Sequence, residues 1–265
     1  MRFQKMHGTL NDFVVFHDLE GKVRLRPEQA ARICDRRGGV GADGVIVVRP
    51  STQADFFMDY VNADGSVAEM CGNGIRCVAK YVYDNGLKRA TSLAVETRAG
   101  VKILELSPGD DGKIATVRVD MGAPIFDPSK IPVNIEPSDK PIIDYPVDAS
   151  GRSFHATILS MGNPHCVIFV EEDPSGLPLL FGPILGKQPL FPAFTNVEFV
   201  RVLSPRHLMM RVWERGSGET FSCGTGACAT AVAARLKDLS ESTVVVGLLG
   251  GDLQIEWEGY GNSVV

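Results

Sequence analysis

An internal repeat constrains this sequence more than any other feature. The segment CGNGIRCVAK begins at Cys71 and the segment CGTGACATAV begins at Cys223, an offset of 152 residues. The same offset, without a gap, relates three further pairs: Asn62 and Glu214, Asn11 and Asn163, and Gly44 and Asn196. Four blocks at one spacing are hard to attribute to chance. We therefore expect two copies of one supersecondary plan, related by an approximate two-fold axis.

Each copy has the residue pattern of a mixed α/β unit. β-branched and aromatic runs such as Asp12–His17 and Cys166–Val170 predict strands. Apolar residues after Cys71 recur at helical spacing as far as Gly86, which predicts a helix with a glycine at its end. The run ACATAVAARL after Cys223 is small and apolar nearly all round, which predicts a wholly buried helix.

The repeat also predicts where the chain divides. We expect an N-terminal half over 1–113, with the first cysteine motif, and a C-terminal half over 114–262, with the second. A strand-like segment follows residue 113, and its repeat partner would fall just beyond the end of the sequence. Either the second copy omits this strand or the sequence is cut short, with residues 263–265 as the start of a strand that returns to the first half.

Composition and charge narrow the class of protein. The chain has 265 residues, of which 44% are hydrophobic and 22% charged, as in an ordinary globular protein. The net charge of −5 gives no reason to expect nucleic acid or an anionic membrane as a partner. The first residues lack a secretory signal, and the apolar runs are too short to span a bilayer. Six cysteines are too sparse for a disulfide scaffold, so we expect free thiols in the cytoplasm.

The repeated CGxG motif suits one kind of chemistry. A cysteine at a helix start lies beside unpaired N–H groups and the positive end of the helix dipole, which favour the thiolate. The glycines allow backbone N–H groups to approach a bound anion closely. Two such helix starts facing each other across a cleft would place a base and an acid on opposite faces of one carbon. A single motif of this kind is usually a packing device, but its repetition favours a two-base racemase or epimerase.

Other chemistries are weaker alternatives. Cys71, Cys77, Cys223 and Cys228 are four thiols that could bind zinc, yet the spacings C-x5-C and C-x4-C are outside or at the edge of the usual range. No C-x-x-C redox motif occurs. A GxGxxG pattern at 39–44 precedes a strand instead of following one, so it does not predict a dinucleotide site. No lysine has a recognisable Schiff-base motif, and we expect no cofactor.

The motifs resemble those of the diaminopimelate epimerase family. The resemblance runs through KMHGTLNDFVV, RRGGVGADG, NADGSVAEMCGNGIRC, MGNPHCV, TNVEFV, WERGSGETFSCGTGACA and GGDLQIEW, which together span nearly the whole chain. It implies a pyridoxal-independent isomerase that interconverts LL- and meso-2,6-diaminopimelate, in the route to lysine and peptidoglycan. It also implies an α+β fold with two pseudo-symmetric halves, each a curved, mostly antiparallel sheet wrapped around a central helix, with the active site between them. Homodimers are common in that family, although no feature of this sequence establishes one.

The resemblance assigns roles to residues at matching positions. Cys71 and Cys223 would be the acid and base pair, with His165 and Glu214 beside the reacting centre. The α-carboxylate would be held by Gly72, Asn73, Gly224 and Thr225. The polar groups of the substrate would be bound by Asn11, Asn62, Asn163, Asn196, Glu214 and Arg215, and by the backbone of Gly44, where some members have a side chain. An asparagine before a strand is more often a turn residue, and the repeat is what favours a binding role. Proline and hydroxyproline racemases, an alternative, usually have histidine where Asn73 stands.

Overall fold

The computed structural model describes residues 2–136, 138 and 140–265, and it divides the chain into two compact units, Met1–Asp120 and Met121–Val265. The segment after residue 113, which the sequence analysis assigns to the second half, forms strand Ile114–Val119 and pairs with the first sheet. Its residues extend the edge of that sheet because they continue the hairpin from the preceding strand.

The first unit is a seven-stranded sheet with two helices. Its strands follow one another in space in chain order, and all neighbours are antiparallel except the second with the third and the fourth with the fifth. The elements are β1 (Gln4–Gly8), β2 (Asn11–His17), α1 (Pro27–Cys34), β3 (Gly44–Arg49), β4 (Phe56–Asn62), α2 (Gly72–Asp84), β5 (Ser92–Thr97), β6 (Gly100–Pro108) and β7 (Ile114–Val119).

The sheet of the first unit curves around α2. The helix contacts β1 at one edge of the sheet and β7 at the other, which a flat sheet would not allow. The opposite side of β3 packs on α1, where Val45 and Val47 meet Ala30 and Cys34. Because β3 is covered on both faces, its sequence GVIVVR is apolar almost throughout and does not alternate.

The second unit has the same plan. Its main sheet has the order β15-β14-β12-β11-β10-β9-β8, with parallel pairs only at β10–β11 and β12–β14, and the short β13 pairs with β12. The elements are β8 (Ile142–Ala149), β9 (Arg152–Ser160), β10 (Pro164–Phe169), α3 (Leu177–Leu185), β11 (Asn196–Ser204), β12 (His207–Glu214), β13 (Gly218–Glu219), α4 (Gly224–Leu236), β14 (Thr243–Leu248) and β15 (Gly251–Glu256).

Strand register confirms the repeat. Phe13 pairs with Gly44 in the first sheet, and His165 pairs with Asn196 in the second, each partner shifted by the same offset. The equivalence extends to the parallel and antiparallel sense of each strand pair. The predicted α+β fold with two pseudo-symmetric halves, each a curved and mostly antiparallel sheet around a central helix, is confirmed.

The predicted helices after the two cysteines are confirmed, and α4 is the buried one. Nine of its thirteen residues are buried, as its small apolar sequence indicates. Residues 263–265, expected to begin a strand returning to the first half, contact the second unit: Val264 bridges Gly122, and Val265 exchanges backbone hydrogen bonds with Glu256. Within the described residues, each helix is too short or too polar to cross a membrane.

Candidate active site

Each cysteine motif places a sulfur at the start of a central helix. Cys71 is the N-cap of α2, where its Sγ accepts a hydrogen bond from the Gly74 amide at 3.4 Å. Cys223 is the N-cap of α4, where its Sγ accepts from the Gly226 amide at 3.3 Å. The predicted helix-start position is therefore confirmed for both. Amides in the first helical turn have no acceptor within the helix, so both sulfurs lie where negative charge is favoured.

The amide side chain of Asn11 lies beside the sulfur of Cys71. The Asn11 Oδ1 lies 3.6 Å from Cys71 Sγ and accepts a hydrogen bond from Asn73 Nδ2 at 3.3 Å. The other end of the Asn11 amide donates to Asp43 Oδ2 at 2.8 Å. An ionised carboxylate only accepts hydrogen bonds, so this contact fixes the orientation of the amide. The carbonyl oxygen of Asn11 is thereby held toward the Cys71 thiol, which donates to it.

Asp43, which contacts Asn11, belongs to a cluster of charged side chains. Arg36 Nη2 lies 2.7 Å from Asp43 Oδ1 and 2.8 Å from Asp12 Oδ1, and Lys5 Nζ lies 3.1 Å from Asp12 Oδ2. Burial of Asp12 opposes ionisation, but the hydrogen bonds from Arg36 and Lys5 outweigh it and lower its pKa to about 2. Asp12 is thus held as a carboxylate at neutral pH, and Arg36 contacts both Asp12 and Asp43.

Gly44 and Asn62 lie together at the ends of β3 and β4. The two residues are direct partners in the strand register, and Asn62 Nδ2 donates to Ser66 Oγ at 3.0 Å. A Cβ atom at position 44 would lie 2.4 Å from Tyr60 Cε2 and 2.8 Å from the Val61 carbonyl oxygen. Glycine at position 44 is therefore required by packing, whatever its backbone contributes to binding.

Ionisable side chains surround the sulfur of Cys223. The thiol is only 5% exposed, and its Sγ lies 3.5 Å from Thr225 Oγ1. Burial raises the pKa of Cys223 well above its ordinary value, and the Glu214 and Glu198 carboxylates raise it further. The helix start was expected to favour the thiolate, but at Cys223 burial outweighs that effect. Cys223 is therefore held as a thiol.

Glu214 is a buried acid beside this thiol. Burial raises its pKa, although hydrogen bonds from Thr220 and Cys223 act in the opposite direction. The hydroxyl of Thr220 donates to Glu214 Oε1. A carboxyl group that is buried in this way takes up a proton more readily than one in water. A raised carboxyl pKa of this kind is common among catalytic general acids and bases.

His165 and Glu198 form a buried pair next to Glu214. His165 Nδ1 lies 2.7 Å from Glu198 Oε1, and both side chains are 0% exposed. The other ring nitrogen, Nε2, lies 3.1 Å from Asn163 Oδ1. Burial raises the pKa of Glu198, and the neighbouring His165 opposes that rise. The sequence predicted His165 but not Glu198. The repeat could have indicated Glu198, because an acid stands there where the other half has the hydrophobic residue Ile46.

The side chain of Asn196 contacts the backbone of Arg215. Asn196 Oδ1 accepts a hydrogen bond from the Arg215 amide at 2.7 Å, while Arg215 Nη1 donates to the Ala193 carbonyl at 3.0 Å. Gly72, Asn73, Gly224 and Thr225 occupy the first turns of α2 and α4. The residues expected in the site thus fall into two sets, one in each unit, and each set contains one of the two cysteines.

The six cysteines are all free. In the part of the chain that the structure describes, no group of three or more His, Cys, Asp or Glu side chains is arranged to hold a metal ion. Cys77 and Cys228 lie inside α2 and α4 and are buried, and burial raises the pKa of the Cys77 thiol to about 12.

The fold is that of a class of two-halved epimerases and isomerases. A hydroxyproline epimerase from Agrobacterium vitis superposes with a TM-score of 0.67 at 16% identity, over 100% of this chain and 88% of that one. A methylitaconate-delta-isomerase superposes with a TM-score of 0.64 at 16% identity, over 99% and 91%. At this identity the likeness establishes the fold alone.

Sequence comparison identifies the family within this class. The family model described as diaminopimelate epimerase matches residues 3–126 and 157–265. A protein named diaminopimelate epimerase from Moorella thermoacetica is 51% identical, over 100% of this chain and 94% of that protein. One of the same name from Leptospira biflexa is 46% identical, over 99% and 93%. The chain belongs to the diaminopimelate epimerase family and is an isomerase, as the resemblance of its motifs implied.

Proposed function

We propose that this chain interconverts LL- and meso-2,6-diaminopimelate by two-base proton transfer at one α-carbon, without a cofactor. The reaction would supply the meso isomer to the synthesis of lysine and peptidoglycan precursors. Membership of the diaminopimelate epimerase family and relatives that carry this name support the choice of substrate. Asn73 in place of histidine favours diaminopimelate over proline.

The proposed reaction moves one proton onto the substrate as another leaves. One cysteine, as thiolate, removes the α-proton from one face of the carbon and becomes a thiol. The electron pair left on the carbon is delocalised into the α-carboxylate. The second cysteine, as thiol, gives its proton to the opposite face and is left as a thiolate. The configuration inverts, and Cys71 and Cys223 exchange roles when the direction is reversed.

The observation that carries this proposal is the matched position of the two sulfurs. Each is the N-cap of the helix at the centre of its half, and each accepts a hydrogen bond from the second glycine of its motif. The amides of Gly72, Asn73, Gly224 and Thr225 precede the first intrahelical hydrogen bonds, so they can donate to a carboxylate. Fixed donors of this kind stabilise the charge that develops on the carboxylate when the α-proton leaves.

Other polar residues would bind or orient the substrate. We assign His165 and Glu214 to the reacting centre, because both lie in the ionisable cluster around Cys223. The remaining polar groups, including the distal amino-acid end, would be bound by Asn11, Asn62, Asn163, Asn196, Glu214, Arg215 and the backbone of Gly44. A weakly acidic C–H bond is cleaved only where water is excluded, so we expect the substrate to be enclosed during turnover.

Proton exchange with solvent tests the proposal. LL-diaminopimelate incubated with the reduced enzyme in deuterated water should gain deuterium at the α-carbon and convert to the meso isomer. Cys71→Ala and Cys223→Ala should each abolish conversion. Cys77→Ala and Cys228→Ala are matched controls, since they remove a buried thiol from the same two helices. Absence of labelling in a folded, reduced sample would refute the function.

The same preparation separates the alternatives. Racemisation of proline in place of diaminopimelate would indicate a proline racemase, and about one tightly held zinc per chain would indicate a metal-stabilised binding protein. We also propose a cytoplasmic location and a homodimer, as is common in the family. Light scattering of the purified chain measures the mass of the assembly and tests the dimer.

A further inference from the structure

Glu198 is a buried acid that the proposed reaction does not use. Its side chain is 0% exposed in the middle of β11, and its Oε2 has no hydrogen-bond partner among the described residues. An ionisable group in such a place is strongly destabilising unless it is fully paired. In the first half, the equivalent position in β3 is occupied by Ile46, so the fold does not require an acid there.

The partner of Glu198 also lacks an ionisable equivalent. His165 in β10 corresponds to Phe13 in β2, because His165 pairs with Asn196 and Phe13 pairs with the equivalent residue, Gly44. One half therefore places two hydrocarbon side chains, Phe13 and Ile46, where the other places a histidine and a glutamate. Two polar replacements at contacting positions indicate a pair that is kept together for a purpose other than packing.

Gly226 places this pair next to Cys223. A Cβ atom at Gly226 would lie 2.9 Å from Glu198 Oε1 and 3.2 Å from Cys223 Sγ. The carboxylate oxygen and the sulfur thus both lie close to one backbone position that has no side chain. At Gly74, the equivalent Cβ atom would instead meet the methyl groups of Ile46 and Met58. The residue beside the second glycine of the motif is thus an acid in the second half and a hydrocarbon in the first.

The pair shares a proton. At 2.7 Å, Glu198 Oε1 and His165 Nδ1 require one hydrogen between them, which belongs to the carboxylic acid or to the imidazole. The contact of His165 Nε2 with Asn163 Oδ1 gives the ring a hydrogen bond on its other side. The ring is therefore fixed at both nitrogens, by Glu198 on one side and Asn163 on the other.

We infer that Glu198 is a positioning residue for the proton transfer at Cys223: it holds the His165 ring through their shared proton and thereby sets when the Cys223 thiol releases its own. This inference rests on the proposed function for its role in turnover, but its effect on the thiol does not. The groups facing Glu198 are His165 and Cys166 of β10 and Glu214 of β12, and those facing Cys223 are Glu198 and Glu214. In the first half, the positions equivalent to His165 and Glu198 are occupied by Phe13 and Ile46.

The pH dependence of thiol alkylation tests the inference without any substrate. The rate at which iodoacetamide modifies each cysteine is measured by peptide mapping across a pH series. Since the Glu198 carboxylate raises the pKa of Cys223, Glu198→Gln should move the midpoint for Cys223 down by about one pH unit or more. The midpoint for Cys71 should not move. Glu241→Gln, which removes an exposed carboxylate from the same half, is the control and should change neither.

A second variant keeps the test decisive if Glu198→Gln unfolds. The double variant His165→Phe with Glu198→Ile gives the second half the hydrocarbon pair of the first. It should fold and show the same downward shift for Cys223. An unchanged Cys223 midpoint in a folded variant, or an equal shift at both cysteines, would overturn the inference.

Kinetics then connect the shift to turnover. Glu198→Gln should lower kcat/KM for diaminopimelate by about tenfold and displace a limb of its pH profile, whereas Glu198→Asp should restore part of both. An equal loss at every pH would show a merely structural role and overturn the assignment. If the wild-type enzyme lacks epimerase activity, the alkylation result still stands, so failure of the proposed function is distinguished from failure of this inference.

Discussion

Ile46 and Glu198 occupy the same place in the two sheets. Ile46 pairs with Val15 on one side and Tyr60 on the other, and Glu198 pairs with Val167 and Val212. Each of these partners is displaced by the repeat offset from its counterpart. Equivalent backbone positions thus carry a hydrocarbon side chain in one sheet and a carboxylate in the other. Each of these side chains lies beside the second glycine of its cysteine motif.

This relationship makes the two cysteine sites chemically unequal. Cys71 Sγ lies 3.6 Å from the neutral amide oxygen of Asn11, which also accepts a hydrogen bond from Asn73. Cys223 lies among ionisable groups in a site closed to solvent, with Glu198 and Glu214 beside it. We therefore expect the two thiols to respond differently to pH although their backbone settings match.

Alanine at the two equivalent glycines should have unequal effects. In Gly226→Ala the new methyl group would press on Glu198 Oε1 and the Cys223 sulfur, so we expect a loss of kcat of about tenfold to a hundredfold. In Gly74→Ala, the matched control, the closest contacts of the new methyl group are the flexible ends of Ile46 and Met58, so this variant should lose much less activity. Steady-state kinetics on both variants, with melting temperatures to verify folding, make the comparison. Equal losses would contradict this view of Gly226.

Stability should depend on the ionisation of Asp12. Its folded-state pKa is about 2, below the value of 3.8 for an unperturbed aspartate, so its contribution is present above about pH 4 and is lost as the pH falls toward 2. Asp12→Asn should lower the free energy of unfolding by about 1–2 kcal/mol at pH 7. Urea titrations should show the difference shrinking as the pH is lowered to 3. Asp110→Asn, in an exposed turn, should match the wild type at every pH.

Thiol reactivity at neutral pH should follow exposure. Cys71 is half-buried, whereas the other five cysteines are buried. Burial also raises the pKa of Cys34 to about 11 and that of Cys77 to about 12. Limited iodoacetamide should therefore modify Cys71 first, as read by peptide mass, and Cys71→Ser should remove that modification. All six thiols should react after unfolding in urea. Preferential labelling of Cys77 would contradict the structure.

Oxidation should inactivate the enzyme reversibly. If both sulfurs reach one carbon during turnover, they can join as a disulfide when the site closes without substrate. Activity should fall in air and return with dithiothreitol, and mass spectrometry of the oxidised sample should join Cys71 to Cys223. The Cys34→Ala variant, which lacks an unrelated buried thiol, should behave like the wild type. Full activity in a sample with this disulfide would contradict the two-base mechanism.

Much of the fold was predictable because the repeat supplies information twice. Strands such as Asn11–His17 and both cysteine-capped helices follow from local patterns. Helix Leu177–Leu185 was not predicted, since Gly182 and Pro183 lie inside it and its sequence is apolar throughout. The offset applied to Pro27–Cys34 would have located it. Gly182 is required there because a Cβ atom would lie 2.4 Å from Trp213 Cβ.

The site was predictable where it depends on motifs and less so where it depends on packing. The positions of Cys71 and Cys223 at helix starts could be read directly from CGxG. Glu198 was missed because its neighbours in TNVEFV predict a buried strand, and a glutamate in that run does not reveal which way it points. Asp43 was missed for a similar reason, since its contact with Asn11 joins residues 32 positions apart.

The strand register also shows where the two halves stop matching residue for residue. From β2 and β10 to the central helices the equivalent strands keep the offset of 152 residues, but strand Thr243–Leu248 follows Ser92–Thr97 by one residue less. A register shift of one residue turns every following side chain of a strand to the opposite face of the sheet. We therefore expect the strands between Asn11 and Asn62, and their counterparts, to tolerate changed side chains better than a changed length.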